Sequence, residues 1–191
     1  QLLGAGHDVV VIDNMTQGSR AKLRDALAES ELNGERLTVI EADVRDDAAL
    51  RSAIEGAATV FHLACLGVRH SLHDPLENHS VNALGTLKTL QVARELSVSR
   101  FVHVSSSEVY GTARTVPMTE EHPTFPHTVY GASKLAGEAY ARAYRDSFGL
   151  QTVVLRPFNA FGPRSHHEGD SGEVIPRFLV RALAGEPPVI F

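Results

Sequence analysis

The amino-acid sequence predicts an α/β fold, a doubly wound parallel sheet with helices packed between its strands. Three observations carry this. Short runs rich in Val, Ile and Phe recur along the chain, and longer amphipathic stretches of helical period separate them. The runs are apolar on both faces, as strands buried in a parallel sheet are. Strand and helix then alternate with little else between, which is the pattern of an open α/β sheet.

The first element is the hardest to place. "LLGAGHDVVVID" (2–13) holds two glycines beside an apolar run that ends in an acid. In a phosphate-binding loop the strand precedes the glycines and a helix follows them. Here Gly4 and Gly6 come first, so they are expected to close a helix, where Gly is the favoured residue. Residues 8–13 are then the second strand of the fold. A first strand and its glycine loop are expected upstream of Gln1, and the chain is read as a piece truncated at both ends. A helix over 19–31 follows, then a strand in "LTVIEAD" (37–43) and a helix over 46–55 capped by Asp46. "TVFHLA" (59–64) is the next strand. Asp74–Pro75 puts a cap residue before Pro at the first helical position, opening a helix over 75–97. "RFVHVSS" (100–106), a helix over 128–148 and "TVVLRPF" (152–158) complete the series. From 159 the chain turns polar and Gly-rich, a loop. Residues 174–184 read as a short helix and "PPVIF" (187–191) as the start of a strand.

Composition narrows the function. The 191 residues suffice for a domain with a real core. The net charge of −5 and the lack of a basic run leave no electrostatic footprint for nucleic acid. No apolar stretch approaches the roughly 20 residues of a membrane span, and no basic-then-apolar signal opens the chain. A single cysteine, Cys65, excludes an internal disulfide and fits a reducing compartment, so a cytoplasmic location is expected. Ten histidines invite a metal reading, but His70 with His73 and His166 with His167 lack convergent partners at ligand spacing, and no metal is expected.

Two acids mark a nucleotide edge. Asp13 closes its strand at the carboxyl end, where open α/β sheets bind ligands. Its carboxylate can accept hydrogen bonds from an adenosine ribose and repel a 2′-phosphate, favouring NAD over NADP; a plain loop-capping Asp fits equally, and Arg20 keeps NADP open. Asp43 is placed the same way toward the adenine, or is a turn acid.

"YGASK" (130–134) sets Tyr130 and Lys134 on one helix face. A Lys ammonium beside the phenol is expected to lower a pKa that is otherwise about 10. Tyr130 then becomes a usable general acid/base. The pair alone also fits an exposed helix face. "VHVSSSEVYG" (102–111), however, runs a strand into a serine cluster at the same sheet edge, where a hydroxyl can hold the substrate oxygen.

Eight motifs in order carry a resemblance: "GHDVVVIDN" (6–14), "ADVRD" (42–46), "FHLAC" (61–65), "VRHSLHDP" (68–75), "VNALGT" (81–86), "SSSEVYG" (105–111), "YGASK" (130–134) and "LRPFNAFGPR" (155–164). On them the chain resembles the extended short-chain dehydrogenases/reductases, the NAD-dependent nucleotide-sugar epimerase/dehydratase family, with a Rossmann-type fold. The resemblance implies Ser106, Tyr130 and Lys134 as the catalytic set. It implies Asp13 and Asn14 at the adenosine ribose, Asp43 and Val44 at the adenine, and Leu63, Ala64 and Cys65 near the nicotinamide ribose. Asn82 matches a central-helix Asn supporting the site. Asn159 contacts the sugar diphosphate, and Ser106 and Ser107 meet the sugar. His166 and His167 face diphosphate or solvent. Cys65 departs from the usual Ala and is expected to be a small buried replacement.

Residues 1–158 are then an NAD-binding region and 159–191 the start of a substrate-binding region. Ser107 and Glu108 leave the subfamily open. The 4,6-dehydratases carry Asp-Glu at these positions, the UDP-glucuronate decarboxylases Ser-Glu, and plain epimerases small or neutral residues. "LGVRHSLHDP" is similar to the substrate loop of epimerases. The leading expectation is a nucleotide-sugar epimerase that oxidises its substrate transiently at carbon 4 with bound NAD, in a parent protein that is a homodimer. The alternatives are a dehydratase or decarboxylase in which Glu108 moves a proton, and a non-catalytic nucleotide-binding module.

Overall fold

The computed structural model describes residues 1–32, 34, 36–162, 165 and 173–189. The chain divides into two units, Gln1–Arg156 and Pro157–Phe191.

In the first unit five strands are all parallel: β1 (Val9–Asp13), β2 (Leu37–Glu41), β3 (Thr59–His62), β4 (Arg100–Val104) and β5 (Thr152–Leu155). They form two sheets, β1–β2 and β3–β4–β5, rather than one continuous sheet. The helices are α1 (Arg24–Leu32), α2 (Asp47–Ile54), α3 (Val68–His73), α4 (Pro75–His79), α5 (Gly85–Glu95) and α6 (Val129–Phe148). The long helix expected over 75–97 is interrupted by a π turn at Ser80–Leu84, and α3 was not anticipated. Turns of this kind, with one extra residue per loop of backbone, gather at functional sites.

Local chemistry explains the boundaries. Asp46 accepts from the amides of Ala48 and Ala49 to open α2, and Asp74 accepts from Glu77 N ahead of Pro75 to open α4. Thr128 caps α6 through Gly131 N, and Gly149, in the left-handed region at φ 73°, ends it. The opening glycines belong to a turn that leads into β1, with Gly6 at φ 84° and its amide bonded to Leu3 O. They were expected to close a helix, but no helix precedes β1 among the described residues.

The core lies between the β3–β4–β5 sheet and α5 and α6. Phe101, Leu50 and Leu90 are essentially inaccessible, with Ile54, Val92 and Ala141 around them. The opposite face of the same sheet carries exposed Phe61, Val153 and Leu155. Burial on both faces, which the apolar runs suggested, is met in β4, where Val102 on this face is also buried, but not at these three residues of β3 and β5. Among the described residues no helix is long and apolar enough to cross a membrane.

The second unit holds α7 (Val174–Leu183), whose Ile175, Phe178, Leu179 and Ala182 line a shallow apolar hollow closed by Pro188. Residues 187–189 form no strand, contrary to the reading of "PPVIF"; residues 190 and 191 lie outside the described residues.

Candidate active site

The site is built where β4 ends and α6 begins. After Val104 the chain leaves the sheet at Ser105, and Ser106 caps a short 3-10 turn by accepting from Glu108 N at 3.2 Å. The start of α6 presses onto this turn. A side chain at Gly131 would bring its Cβ to 2.8 Å from Glu108 O, so only glycine lets Tyr130 approach so closely. Ser106 stands beside the Tyr130 hydroxyl and favours its ionised form by hydrogen bonding. The loop after β3 brings Cys65 to the same place, near both Tyr130 and Lys134.

The electrostatics differ from expectation. Burial pushes the Tyr130 phenol above its ordinary value; Cys65 adds to that, Ser106 opposes it and Glu108 adds a little more. The net lowering expected from Lys134 is not met, since desolvation of the phenol outweighs the hydrogen bond that favours its anion. Lys134 is itself 2% exposed. Burial pushes its ammonium below the ordinary value while Cys65 and Glu138 draw it back. Among the described residues that ammonium has no hydrogen-bond partner. Two imidazoles pack beneath it, His62 pushed to about 3 and His103 to about 4, both chiefly by burial. Both are neutral near pH 7.

A buried ion pair braces the assembly. Glu138, one turn beyond Lys134 and inaccessible to solvent, accepts from Ser105 Oγ at 2.7 Å and from Arg156 Nε and Nη2 at 2.8 and 2.7 Å. Arg156 also stacks on the Tyr110 ring at 4.8 Å. Sequence reading passed over Glu138. The signal was present in the spacing of Tyr130, Lys134 and Glu138, each four apart and so on one helix face.

The nucleotide edge sits at β1 and β2. Asp13 Oδ1 accepts from Met15 N at 2.7 Å, and Gly18 packs so close that a Cβ there would lie 3.1 Å from that oxygen. Asp13 Oδ2 accepts no hydrogen bond among the described residues. Asn14 Oδ1 is taken by Thr16 at 2.8 Å. Asp43 meets the Arg45 guanidinium at 2.9 and 2.7 Å, and the hydrogen bond from Arg45 holds its carboxyl below the ordinary value.

The other expected site residues differ widely in exposure, and Cys65 departs from its expected burial. Val44 is buried against Gly85 in the core, so only its backbone can face a ligand. Cys65 is exposed rather than buried, because the chain has already left the sheet after His62. Asn82 is 1% exposed and spends its amide on Leu66 and Asn78; it holds the loop rather than opening onto a ligand. Leu63 is exposed and Ala64 half-buried. Ser107 is half-buried and Glu108 exposed. Asn159 is an exposed residue of the second unit, while His166 and His167 lie outside the described residues. No group of three potential metal ligands occurs among the described residues.

These features fit a nicotinamide dinucleotide. A buried ammonium with unspent donors suits a ribose beside Tyr130, and the open oxygen of Asp13 suits the ribose of the adenosine half.

The comparisons agree. The family model for the NAD dependent epimerase/dehydratase family matches residues 1–191. UDP-glucose 4-epimerase of Mycolicibacterium smegmatis is 34% identical over the whole chain, which spans 60% of that protein. Among solved structures, UDP-N-acetylglucosamine 4-epimerase from Methanobrevibacter ruminantium M1 in complex with UDP-N-acetylmuramic acid superposes with a TM-score of 0.88 at 34% identity, over 96% of this chain and 57% of that one. DesIV, the dTDP-glucose 4,6-dehydratase of Streptomyces venezuelae with NAD bound, superposes with a TM-score of 0.84 at 33% identity over the same shares. The chain thus spans about 60% of the length of the curated relatives it matches. With a Rossmann-type α/β fold, a Ser-Tyr-Lys grouping at the carboxyl edge and a match along its whole length, the chain belongs to the NAD dependent epimerase/dehydratase family.

Proposed function

We propose that the protein is a nucleotide-sugar 4-epimerase. The observation that carries this is the grouping of Ser106 and Tyr130 at the end of β4, with buried Lys134 one helical turn on and Cys65 near both Tyr130 and Lys134. When bound, NAD would supply the hydride acceptor for oxidation of the sugar 4-hydroxyl to a ketone. Tyr130 takes the proton from the 4-hydroxyl and returns it when the ketone is reduced on its other face. Ser106 holds that oxygen throughout. Lys134 orients the cofactor ribose, and its charge offsets the burial that disfavours the Tyr130 phenolate once the two groups share that ribose. Asp13 and Asn14 hold the adenosine ribose, and Asp43 with the Val44 backbone faces the adenine. Leu63, Ala64 and Cys65 flank the nicotinamide ribose. Residues 159–191 begin the region that takes the sugar diphosphate, with Asn159 as a contact. The relatives whose names specify UDP-sugars support a UDP-sugar as substrate.

A second reading rests on Glu108, whose charge reaches Tyr130. A carboxylate there can move a proton at carbon 5 once carbon 4 is oxidised, as dehydration requires. The test is Glu108→Gln in the full-length protein, assayed in deuterated water with UDP- and dTDP-sugars. An epimerase loses at most about tenfold, or roughly 1.4 kcal/mol, and its product gains no carbon-bound deuterium. Carbon-bound deuterium, together with collapse of activity in the Gln variant, would replace epimerisation by dehydration. Release of carbon dioxide from a uronic acid substrate would indicate decarboxylation.

Asp13→Ala is expected to weaken NAD roughly tenfold and NADP far less, because it removes a ribose acceptor and a charge that repels the 2′-phosphate. Calorimetric titration with both cofactors reads this directly. An unsubstituted protein that prefers NADP would refute the assignment and turn attention to Arg20.

A further inference from the structure

The loop between β3 and α3 carries Leu63, Ala64 and Cys65 to the Tyr130–Lys134 face, and little of its own holds it there. Its anchor is a pair of buried amides. Asn78 on α4 is fully inaccessible, and Asn82 in the π turn nearly so. Asn82 closes two bonds on one residue of the loop: Leu66 N donates to its Oδ1 at 2.8 Å, and its Nδ2 donates back to Leu66 O at 2.8 Å. Asn78 completes the clamp. Its Nδ2 donates to Leu66 O at 2.9 Å and to Gly67 O at 3.2 Å, and its Oδ1 accepts from Asn82 Nδ2 at 3.1 Å. Every hydrogen-bonding position on the Asn78 amide nitrogen is thus spent on backbone carbonyls of this loop. The arrangement requires an amide, because two carbonyl oxygens face one donor group and a carboxylate would face them with like charge. The chain of contacts continues inward. Thr86 Oγ1 donates to Asn82 O at 2.6 Å and meets His62 Nε2 at 2.9 Å, tying the clamp to β3.

We propose that Asn78 is a positioning residue for the nicotinamide half of the cofactor site. It acts through Leu66 and Gly67, whose fixed backbone sets where Leu63, Ala64 and Cys65 stand beside Tyr130 and Lys134. The proposal rests on the functional reading above in taking Leu63–Cys65 as the wall of the nicotinamide ribose. It separates the two ends of the cofactor site, because the adenosine end is built on β1 and β2 and shares none of these bonds.

The test compares NAD with ADP, a probe of the adenosine end alone, by calorimetry on the full-length protein and on its Asn78→Ala and Asn78→Asp variants. NAD is expected to weaken about tenfold or more in both variants, while ADP stays within about twofold. Unchanged NAD binding, or equal weakening of both ligands, would overturn the proposal. So would loss of the fold in both variants, seen as absence of a cooperative thermal transition, since that assigns Asn78 to stability alone. Binding is read without turnover, so the two readings fail separately. Absence of UDP-sugar epimerisation by the unsubstituted protein would defeat the proposed function, and the NAD–ADP contrast would still decide the role of Asn78.

Discussion

Tyr130→Phe in the full-length protein is expected to lower turnover by about a thousandfold, the scale of a lost general acid/base, while NAD remains bound. The reasoning is local. The Tyr130 ring is part-buried at the first turn of α6, and Phe fills the same space. What disappears is the hydroxyl beside Ser106, the group proposed to exchange a proton with the sugar oxygen. Lys134, held by its own burial four residues on, keeps its place at the ribose. Two readouts are therefore needed, steady-state epimerisation and cofactor content of the purified protein. Turnover within about tenfold of the parent would remove Tyr130 from the acid/base role. Loss of cofactor together with turnover would instead make the hydroxyl a binding group.

Arg156→Met is expected to destabilise the fold by about 3 kcal/mol at neutral pH, since it strands a buried carboxylate. Glu138 has no solvent contact, and without Arg156 it keeps only Ser105 at 2.7 Å and Arg142 at 3.3 Å. In the parent, burial pushes the Glu138 carboxyl up, but hydrogen bonds from Arg156 and Ser105 more than offset this and leave it below its ordinary value of 4.5. A carboxyl lowered in this way stabilises the fold above about pH 4.5 and loses that contribution as the pH falls through its folded value. In the variant burial prevails and the folded value rises. The neutral acid is then the preferred form, so the deficit relative to the parent shrinks on acidification. The neutral His62 and His103 also cost stability in acid, as the unfolded chain takes up protons below about pH 6.5 that the fold refuses. Burial, the chief cause for both imidazoles, is unchanged by the substitution, so most of that loss cancels in the difference. Urea unfolding of parent and variant across this range is the measurement. A difference within about 0.5 kcal/mol at neutral pH, or one that grows in acid, would contradict the account. Because Glu138 also holds Ser105, next to Ser106, the variant should lose activity as well.

The strands were the most legible part of the chain. Each apolar run from 8–13 to 152–158 contains an observed parallel strand, since burial on a sheet demands β-branched and aromatic residues over a few consecutive positions. Asp46 and Asp74 were equally plain, because capping is decided by residues within a turn of the helix start. The YxxxK pair and the serine cluster before it were legible for a similar reason. Their spacing alone puts them on one helix face and one strand end, and the structure brings Ser106, Tyr130 and Lys134 to the same edge.

What the sequence could not decide is what depends on contact between distant segments. The helix expected over 75–97 hid a π turn, and three apolar strand residues, Phe61, Val153 and Leu155, are exposed. Cys65 looked like a buried substitute for Ala, yet the chain leaves the sheet before reaching it. The lowering of the Tyr130 pKa expected from Lys134 gave way to desolvation, a quantity set by everything packed around the phenol rather than by four-residue spacing. Glu138, Arg156 and Asn78 showed their roles only when β4, β5, α4 and α6 came together, because a buried charge or amide has meaning only through the partner that satisfies it. Periodicity and capping are written in neighbouring residues, and so the sequence by itself determined the five strands, their order and the placing of Tyr130 and Lys134 on one helix face. Burial, ionisation and the bracing of the site arise between residues far apart in the chain, and those the tertiary structure alone decided.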